Sequence, residues 1–131
     1  MNERRMLQAA VALGCLVPLL AGGIGVLNGL AMVGVTTASA PADSHFRYLS
    51  GLLLAIGLGF LSTIPSIEIR SGRFRLLAAI VFIGGLGRLV SLTRDGAPYA
   101  STVFALAMEL VVTPALALWQ WRIAKRTRAD G

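Results

Sequence analysis

Two charged residues, Arg88 and Glu109, lie inside apolar stretches of the sequence, where a charge without a partner is costly. On insertion scales the cost is about 2.5–3.5 kcal/mol for a charged side chain near the middle of a membrane helix. A helical rise of about 1.5 Å per residue, counted from the outer ends of the stretches, places Arg88 roughly 6 Å and Glu109 roughly 12 Å inside the membrane. The long arginine side chain can bridge that difference. The sequence therefore predicts an Arg88–Glu109 ion pair.

A third charge, Arg47, is expected at the outer boundary of the membrane, above this pair. Two arginines against one glutamate would give a pocket with a net positive charge. Gly51, Gly84 and Gly85 each lie about one helical turn from an arginine and would clear space beside the charges. The pocket is predicted to open toward the non-cytoplasmic side, with a rim formed by Asn28, Asp43, His45, Tyr48 and Tyr99.

Two interpretations of these charges stay open. The ion pair could fix the register of the third helix against the fourth, which is a structural role. Alternatively, Arg47, Arg88 and Glu109 could bind a lipid head group, a quinone or a small anion. We predict no cofactor beyond a bound lipid or quinone of this kind.

Several kinds of chemistry are excluded by what the sequence lacks. His45 is the single histidine and Cys15 the single cysteine. A histidine-rich or cysteine-rich metal site and a paired-cysteine redox centre therefore cannot form. No Ser-His-Asp set, phosphate-binding loop or pair of carboxylates can be assembled either. We predict neither a metal site nor catalytic residues.

The positions of these charges depend on helices that cross a membrane, and the composition predicts such helices. Of the 131 residues, 56% are hydrophobic and 14% are charged, whereas a soluble domain is about half apolar and about one quarter charged. We predict an all-α, integral membrane four-helix bundle that forms a single domain over residues 1–131. Its spans are expected at about 6–30, 46–64, 74–92 and 101–121. The first span is too long for the apolar core of a signal peptide, so we expect it to stay uncleaved.

The basic residues indicate the orientation of the chain. The N-terminus, the loop between the second and third spans, and the C-terminal tail hold nine of the twelve lysines and arginines. Because basic residues concentrate on the cytoplasmic side, both termini are predicted to be cytoplasmic. The net charge of +6 is explained by these helix ends, which meet anionic lipids. Nucleic acid is not an expected partner, since no basic stripe with interleaved aromatic residues exists.

Three segments carry a resemblance to a known family: Ser44 to Gly51, Gly84 to Arg88, and Glu109 to Pro114. They resemble a family of bacterial four-helix membrane proteins known as a domain of unknown function (DUF 4345-like), near the DoxX-like group. The resemblance extends over nearly the whole chain and implies a four-helix bundle in a bacterial inner membrane, with no assigned activity. DoxX-like proteins include accessory subunits of membrane oxidoreductases. An accessory role follows here by analogy of fold alone.

The sequence favours a small multi-pass membrane protein that is not an enzyme, either an accessory subunit or a ligand-binding bundle. Its expected partners are membrane lipids, a second copy of the chain or a larger membrane complex. One alternative is a proton-coupled transporter with Glu109 as the protonation site, although a proton would have to displace Arg88 in each cycle. The other is a membrane enzyme that acts on a lipid-like substrate, with Glu109 as general acid or base and His45 as its helper. A single carboxylate and one interfacial histidine give that alternative little support.

Overall fold

The computed structural model describes residues 2–96 and 99–129, and all of its regular elements are helical. Helix α1 spans Glu3–Asn28 and continues as a 3₁₀ turn over Gly29–Val33. Helix α2 spans Ala40–Leu61, and a second 3₁₀ turn follows at Ile64–Ser66. Helix α3 spans Ser71–Asp95. The last segment consists of α4 at Ala100–Ala107, a π-helical turn at Met108–Val112 and α5 at Thr113–Ala129.

Four segments are long and apolar enough to cross a membrane, which confirms the predicted all-α class. They are Glu3–Val33, Ala40–Ser66, Ser71–Asp95 and Ala100–Ala129. The shortest has 25 residues, which exceeds the roughly 20 that a hydrocarbon core of about 30 Å requires. Large apolar side chains stay exposed along these segments, among them Leu27 at 77% and Ile83 at 67%. Lipid is the solvent in which such surfaces are favourable.

Helix α2 begins several residues before the span predicted at 46–64. Ser39 has an extended backbone at the N-cap, Pro41 occupies the first turn, and the amide of Asp43 donates to the carbonyl of Ser39 at 3.1 Å. Proline is favoured in the first helical turn because its missing N–H is not needed there, and an acidic residue complements the positive end of the helix dipole. Asp43 and His45 consequently lie on the first two turns of α2.

The contacts of the chain divide it into two compact units, Val11–Ser62 and the combination of Met1–Ala10 with Thr63–Gly131. In the first unit, α1 and α2 pack through small residues. A Cβ added to Gly22 would lie 2.8 Å from Cα of Leu54, and one added to Gly57 would lie 3.1 Å from the side chain of Leu19. Glycines of this kind let two membrane helices approach closely, so this unit is a tightly packed helical hairpin.

The second unit has its tightest core near the N-terminus of α1 and the C-terminal half of α5. Leu7, Ile67 and Phe74 are fully buried there, together with the polar side chains of Thr63 and Gln120. Helix α3 packs against α5 and against the π-helical turn. This packing brings the middle of α3 to the segment that carries Glu109.

Candidate functional site

Arg88 and Glu109 form a two-point ion pair between α3 and the π-helical turn. Nε of Arg88 donates to Oε2 of Glu109 at 3.0 Å, and Nη2 donates to Oε1 at 3.1 Å. This parallel arrangement is the strongest geometry available to an arginine and a carboxylate. The arginine side chain is 42% exposed and the glutamate side chain 18%. Both carboxylate oxygens of Glu109 therefore accept hydrogen bonds from Arg88, while the Arg88 side chain stays partly exposed.

The π-helical turn that carries Glu109 (hereafter the π-turn, Met108–Val112) is followed by Thr113 and Pro114. The amide of Thr113 donates to the carbonyl of Met108, and its hydroxyl donates to the same carbonyl at 2.8 Å. A π-turn has a wider hydrogen-bonding ring than an α-helix, and such turns occur frequently at functional sites. The widened turn gives Glu109 its place opposite Arg88.

Gly85 is the residue of α3 that permits this approach. A Cβ at this position would lie 2.7 Å from Cδ2 of Leu110 and 2.8 Å from Cβ of Glu109. Gly84, which the sequence also predicts beside the charges, is different, because a Cβ added there would have no atom within 4 Å. At Gly51 the nearest atom to an added Cβ is 3.9 Å away. Gly85 is thus the glycine at which the neighbouring turn occupies the cleared space, whereas the space beside Gly84 stays open and a Cβ at Gly51 would make only ordinary contact.

Arg47 closes the C-terminal end of α1. Nη1 of Arg47 donates to the carbonyls of Val26 and Leu27 at 2.6 and 2.8 Å, and its Nε donates to Asp43 at 2.7 Å. The other oxygen of Asp43 accepts the amide of Leu30 at 2.8 Å. The carbonyls at the end of a helix have no partner within the helix, so these bonds satisfy groups that would otherwise be unpaired.

This arrangement corrects the predicted charge of the pocket. Asp43, assigned to the rim, is the counter-ion of Arg47, while Glu109 is the counter-ion of Arg88. The four charges balance, and a net positive pocket is wrong for this set. Arg47 belongs to the unit Val11–Ser62 and Arg88 to the other unit. Their joint contribution to one pocket stays a prediction.

The remaining rim residues, Asn28, His45, Tyr48 and Tyr99, all have exposed side chains. Asn28 is the last residue of α1, and Tyr99 precedes α4 with 86% of its surface exposed. His45 lies on α2 with its ring 6.5 Å from that of Tyr48, which is 62% exposed. Among residues 2–96 and 99–129, no group of three His, Cys, Asp or Glu side chains could hold a metal ion.

The region of the chain that matches a known family contains the Asp43–Arg47 and Arg88–Glu109 ion pairs. The model of the family described as Domain of unknown function (DUF4345) matches residues 6–120. The chain belongs to the DUF4345 family. Searches of curated proteins and of solved structures each found no match. The family description assigns no activity to this DUF4345 protein.

The last matched residue of the DUF4345 region is a buried glutamine that the sequence analysis missed. The side chain of Gln120 is fully buried, and its Nε2 donates to the carbonyl of Ile67 at 2.7 Å and to Oγ of Ser71 at 2.9 Å. Its Oε1 has no hydrogen-bond partner. A second amide, Gln8, donates to the carbonyl of Ile64 at 2.7 Å. Both glutamines therefore tie a helix to the loop between α2 and α3.

Ion pairs at the same end of this DUF4345 protein were also missed. Nε of Arg4 donates to Glu68 at 2.8 Å, and Nη1 of Arg126 donates to Glu3 at 2.6 Å. Burial raises the pKa of Glu68, but hydrogen bonds from Arg4 and from the backbone outweigh it and hold the pKa below its ordinary value. Long-range partners of this kind give no sequence signal except opposite charge at helix ends.

Proposed function

We propose that this DUF4345 protein is a non-enzymatic membrane protein that binds an amphiphilic ligand at Arg88. The observation that supports this role is the open face of the guanidinium. Nε and Nη2 of Arg88 are engaged by Glu109, while Nη1 has no hydrogen-bond partner within the described residues. An arginine with a free donor inside a membrane helix is a functional candidate, because an unused donor is costly there.

The balanced charge of the pair favours one kind of ligand. Since Glu109 compensates Arg88, the site offers a hydrogen-bond donor without a net charge. A carbonyl or phosphoryl oxygen on a molecule with an apolar body fits this site better than a small free anion does. The proposed ligands are therefore a quinone or the head group of a lipid, both of which already dissolve in the membrane.

Proton-coupled transport and lipid-directed catalysis fit this geometry less well. A transporter that protonates Glu109 must release both of its bonds to Arg88 in every cycle. An enzyme would need a second group within hydrogen-bond reach of the substrate, and no described residue other than Arg88 is bonded to the Glu109 carboxylate. An accessory subunit that presents a bound ligand to a partner, the role expected if the chain is also related to the DoxX-like group, requires neither step.

The experiment that tests binding is native mass spectrometry of the protein purified from its own membrane. The wild type is expected to retain a lipid or quinone that depends on Arg88, and the mass and absorbance of this ligand distinguish the two. Arg88→Leu should lose that ligand. Arg94→Leu is the matched control, because Arg94 lies on the last turn of the same helix and has no ion pair within the described residues.

A double variant separates ligand binding from a structural role. Arg88→Leu with Glu109→Leu removes both charges, so no unpaired charge is left to destabilise the helices. The proposal expects a folded protein that does not retain the ligand. A folded double variant that still retains it would show that the pair only fixes helix register.

The proposal includes an orientation, with both termini on the cytoplasmic side of a bacterial inner membrane. Its support is the distribution of basic residues, nine of which lie at the N-terminus, between Arg70 and Arg75 at the start of α3, and near the end of α5. Fusions of a reporter that is active only outside the cytoplasm should be inactive at either terminus and active when inserted between α3 and α4. Activity at a terminus would reverse the orientation and place the Arg88 site on the other leaflet.

A further inference from the structure

An open groove runs along the seam between α3 and α5, away from the Arg88–Glu109 pair. Its volume is about 410 Å³, and its walls are apolar. The floor is formed by small residues, Ala78 and Ala79 of α3 and Ala117 of α5, which leave space where larger side chains would meet. This groove uses no residue of the proposed ligand site.

The lining of the groove ends before the ion pair. Phe82 and Pro114 line that end, and one helical turn farther on Gly85 packs directly against Leu110. From Arg75 to Phe82 the helix advances by roughly 10 Å at its usual rise. The space therefore accepts a slender apolar chain that enters at one end and stops before the ion pair.

The other end of the groove is cationic. Arg75 and Trp121 line it, and Nζ of Lys125 lies 5.3 Å from the centre of the Trp121 ring. Nε of Arg75 donates weakly to the carbonyl of Ser71 at 3.3 Å, and its two terminal nitrogens have no partner among residues 2–96 and 99–129. Tryptophan is typical of the membrane interface, and basic residues beside membrane helices attract acidic head groups.

We propose that the groove between α3 and α5 binds an anionic phospholipid. One acyl chain occupies the apolar floor at Ala79 and Ala117, and the phosphate is bound by Arg75 at the mouth, with Lys125 adding positive charge. A free phosphate would leave the apolar floor unused. A second copy of this chain is disfavoured, because parallel copies in one membrane would bring the same basic mouths together.

The experiment is a lipid titration of delipidated protein, measured by native mass spectrometry. Phosphatidylglycerol and phosphatidylcholine with identical acyl chains are compared. The wild type should bind phosphatidylglycerol in the groove in preference to phosphatidylcholine. Arg75→Gln should reduce the affinity for phosphatidylglycerol about fivefold, the usual effect of one basic residue at an anionic surface, and should remove most of the preference.

A matched pair of alanines tests the floor of the groove. Ala117→Phe fills it and should weaken phosphatidylglycerol binding by about tenfold. Ala115→Phe adds the same ring at an exposed position of α5 outside the groove and should bind as the wild type does. If Ala117→Phe fails to fold, Ala79→Leu narrows the same floor from α3.

Three results would overturn the proposal. They are equal binding of the two lipids by the wild type, unchanged binding by a folded Ala117→Phe or Ala79→Leu variant, and a dimer that the groove-filling variant dissociates. Arg88→Leu serves to separate the two sites. It should leave phosphatidylglycerol binding in the groove unchanged even though it abolishes retention at the Arg88 site.

Discussion

Gly85 on α3 lies so close to Leu110 on the π-turn that a Cβ on the glycine would be 2.7 Å from Cδ2 of the leucine. The same Cβ would be 2.8 Å from Cβ of Glu109. Arg88 follows on the next turn of α3, and its side chain reaches the carboxylate from there. The ion pair therefore depends on a residue without a side chain as much as on its two charges.

We predict that Gly85→Ala destabilises the protein by about 1–3 kcal/mol, because the added methyl group overpacks the contact with Leu110. Gly84→Ala is the control, since a Cβ there has no atom within 4 Å. Alanine is a better helix former than glycine by about 0.5–1 kcal/mol, so the control should be neutral or stabilising. Both stability changes are measured by unfolding the detergent-solubilised protein with increasing amounts of a denaturing surfactant. Equal effects of the two substitutions would contradict the close packing at Gly85.

The buried amide of Gln120 leads to a second prediction. Gln120→Leu should destabilise the protein by about 1–3 kcal/mol, because the Ile67 carbonyl and the Ser71 hydroxyl lose a buried donor. Gln8→Leu removes a similar bond to the carbonyl of Ile64, but Gln8 is partly exposed. Its cost should be smaller, since water or lipid head groups can replace the bond. The same unfolding assay ranks the two, and a larger loss for Gln8→Leu would refute the assignment of Gln120 to the core.

The pair of Arg4 and Glu68 predicts a pH dependence of stability. The pKa of Glu68 is lower in the folded protein than its ordinary value of 4.5. Its stabilising contribution is therefore complete above pH 4.5 and is lost as the pH falls through the lower folded pKa. The difference in unfolding free energy between the wild type and Glu68→Gln should be constant near neutral pH and should shrink in acid. A difference that grows on acidification would mean that burial dominates at this carboxylate.

Gly29 is predicted to be the more sensitive of two glycines with positive φ. Gly29 has φ 58°, and a Cβ there would meet the Asp43 carboxylate and lie 2.8 Å from Nη2 of Arg47. Gly34 has φ 81° and open space around it. Alanine in the left-handed region costs about 1–2 kcal/mol at either site, and Gly29→Ala adds a clash with the charge pair. Thermal unfolding should show the lower midpoint temperature for Gly29→Ala. Similar midpoints for the two variants would argue against close packing of Gly29 on the Asp43–Arg47 pair.

Hydropathy predicts the helices well, because a span depends on a sum over many residues. Each predicted span overlaps one apolar helical segment, and the predicted pair of Arg88 and Glu109 is present in the structure. The proposed binding role of these residues cannot be decided in the same way. It depends on a ligand, which leaves no trace in hydropathy.

Partners and local geometry are harder to predict because they depend on single contacts. Asp43 is predicted at a rim because hydropathy places the start of α2 too late, which hides its spacing of four residues from Arg47 on one helix face. In the sequence, Gln120 looks like one of the exposed polar residues at the end of the last helix, although its side chain is fully buried in the structure. The π-turn is preceded by no glycine or charge run that would mark it, and Pro114 is its single sequence signal.

The π-turn also affects how sequences of DUF4345 proteins should be aligned. A π-turn contains one residue more than the α-helical turn it replaces. A relative that lacks one residue between positions 108 and 112 would keep the outward faces of α4 and α5 and would lose the bulge alone. A one-residue gap at these positions in an alignment therefore marks a relative without the π-turn. In such a relative, the acidic residue that corresponds to Glu109 would have to reach the arginine of α3 from a regular α-helix.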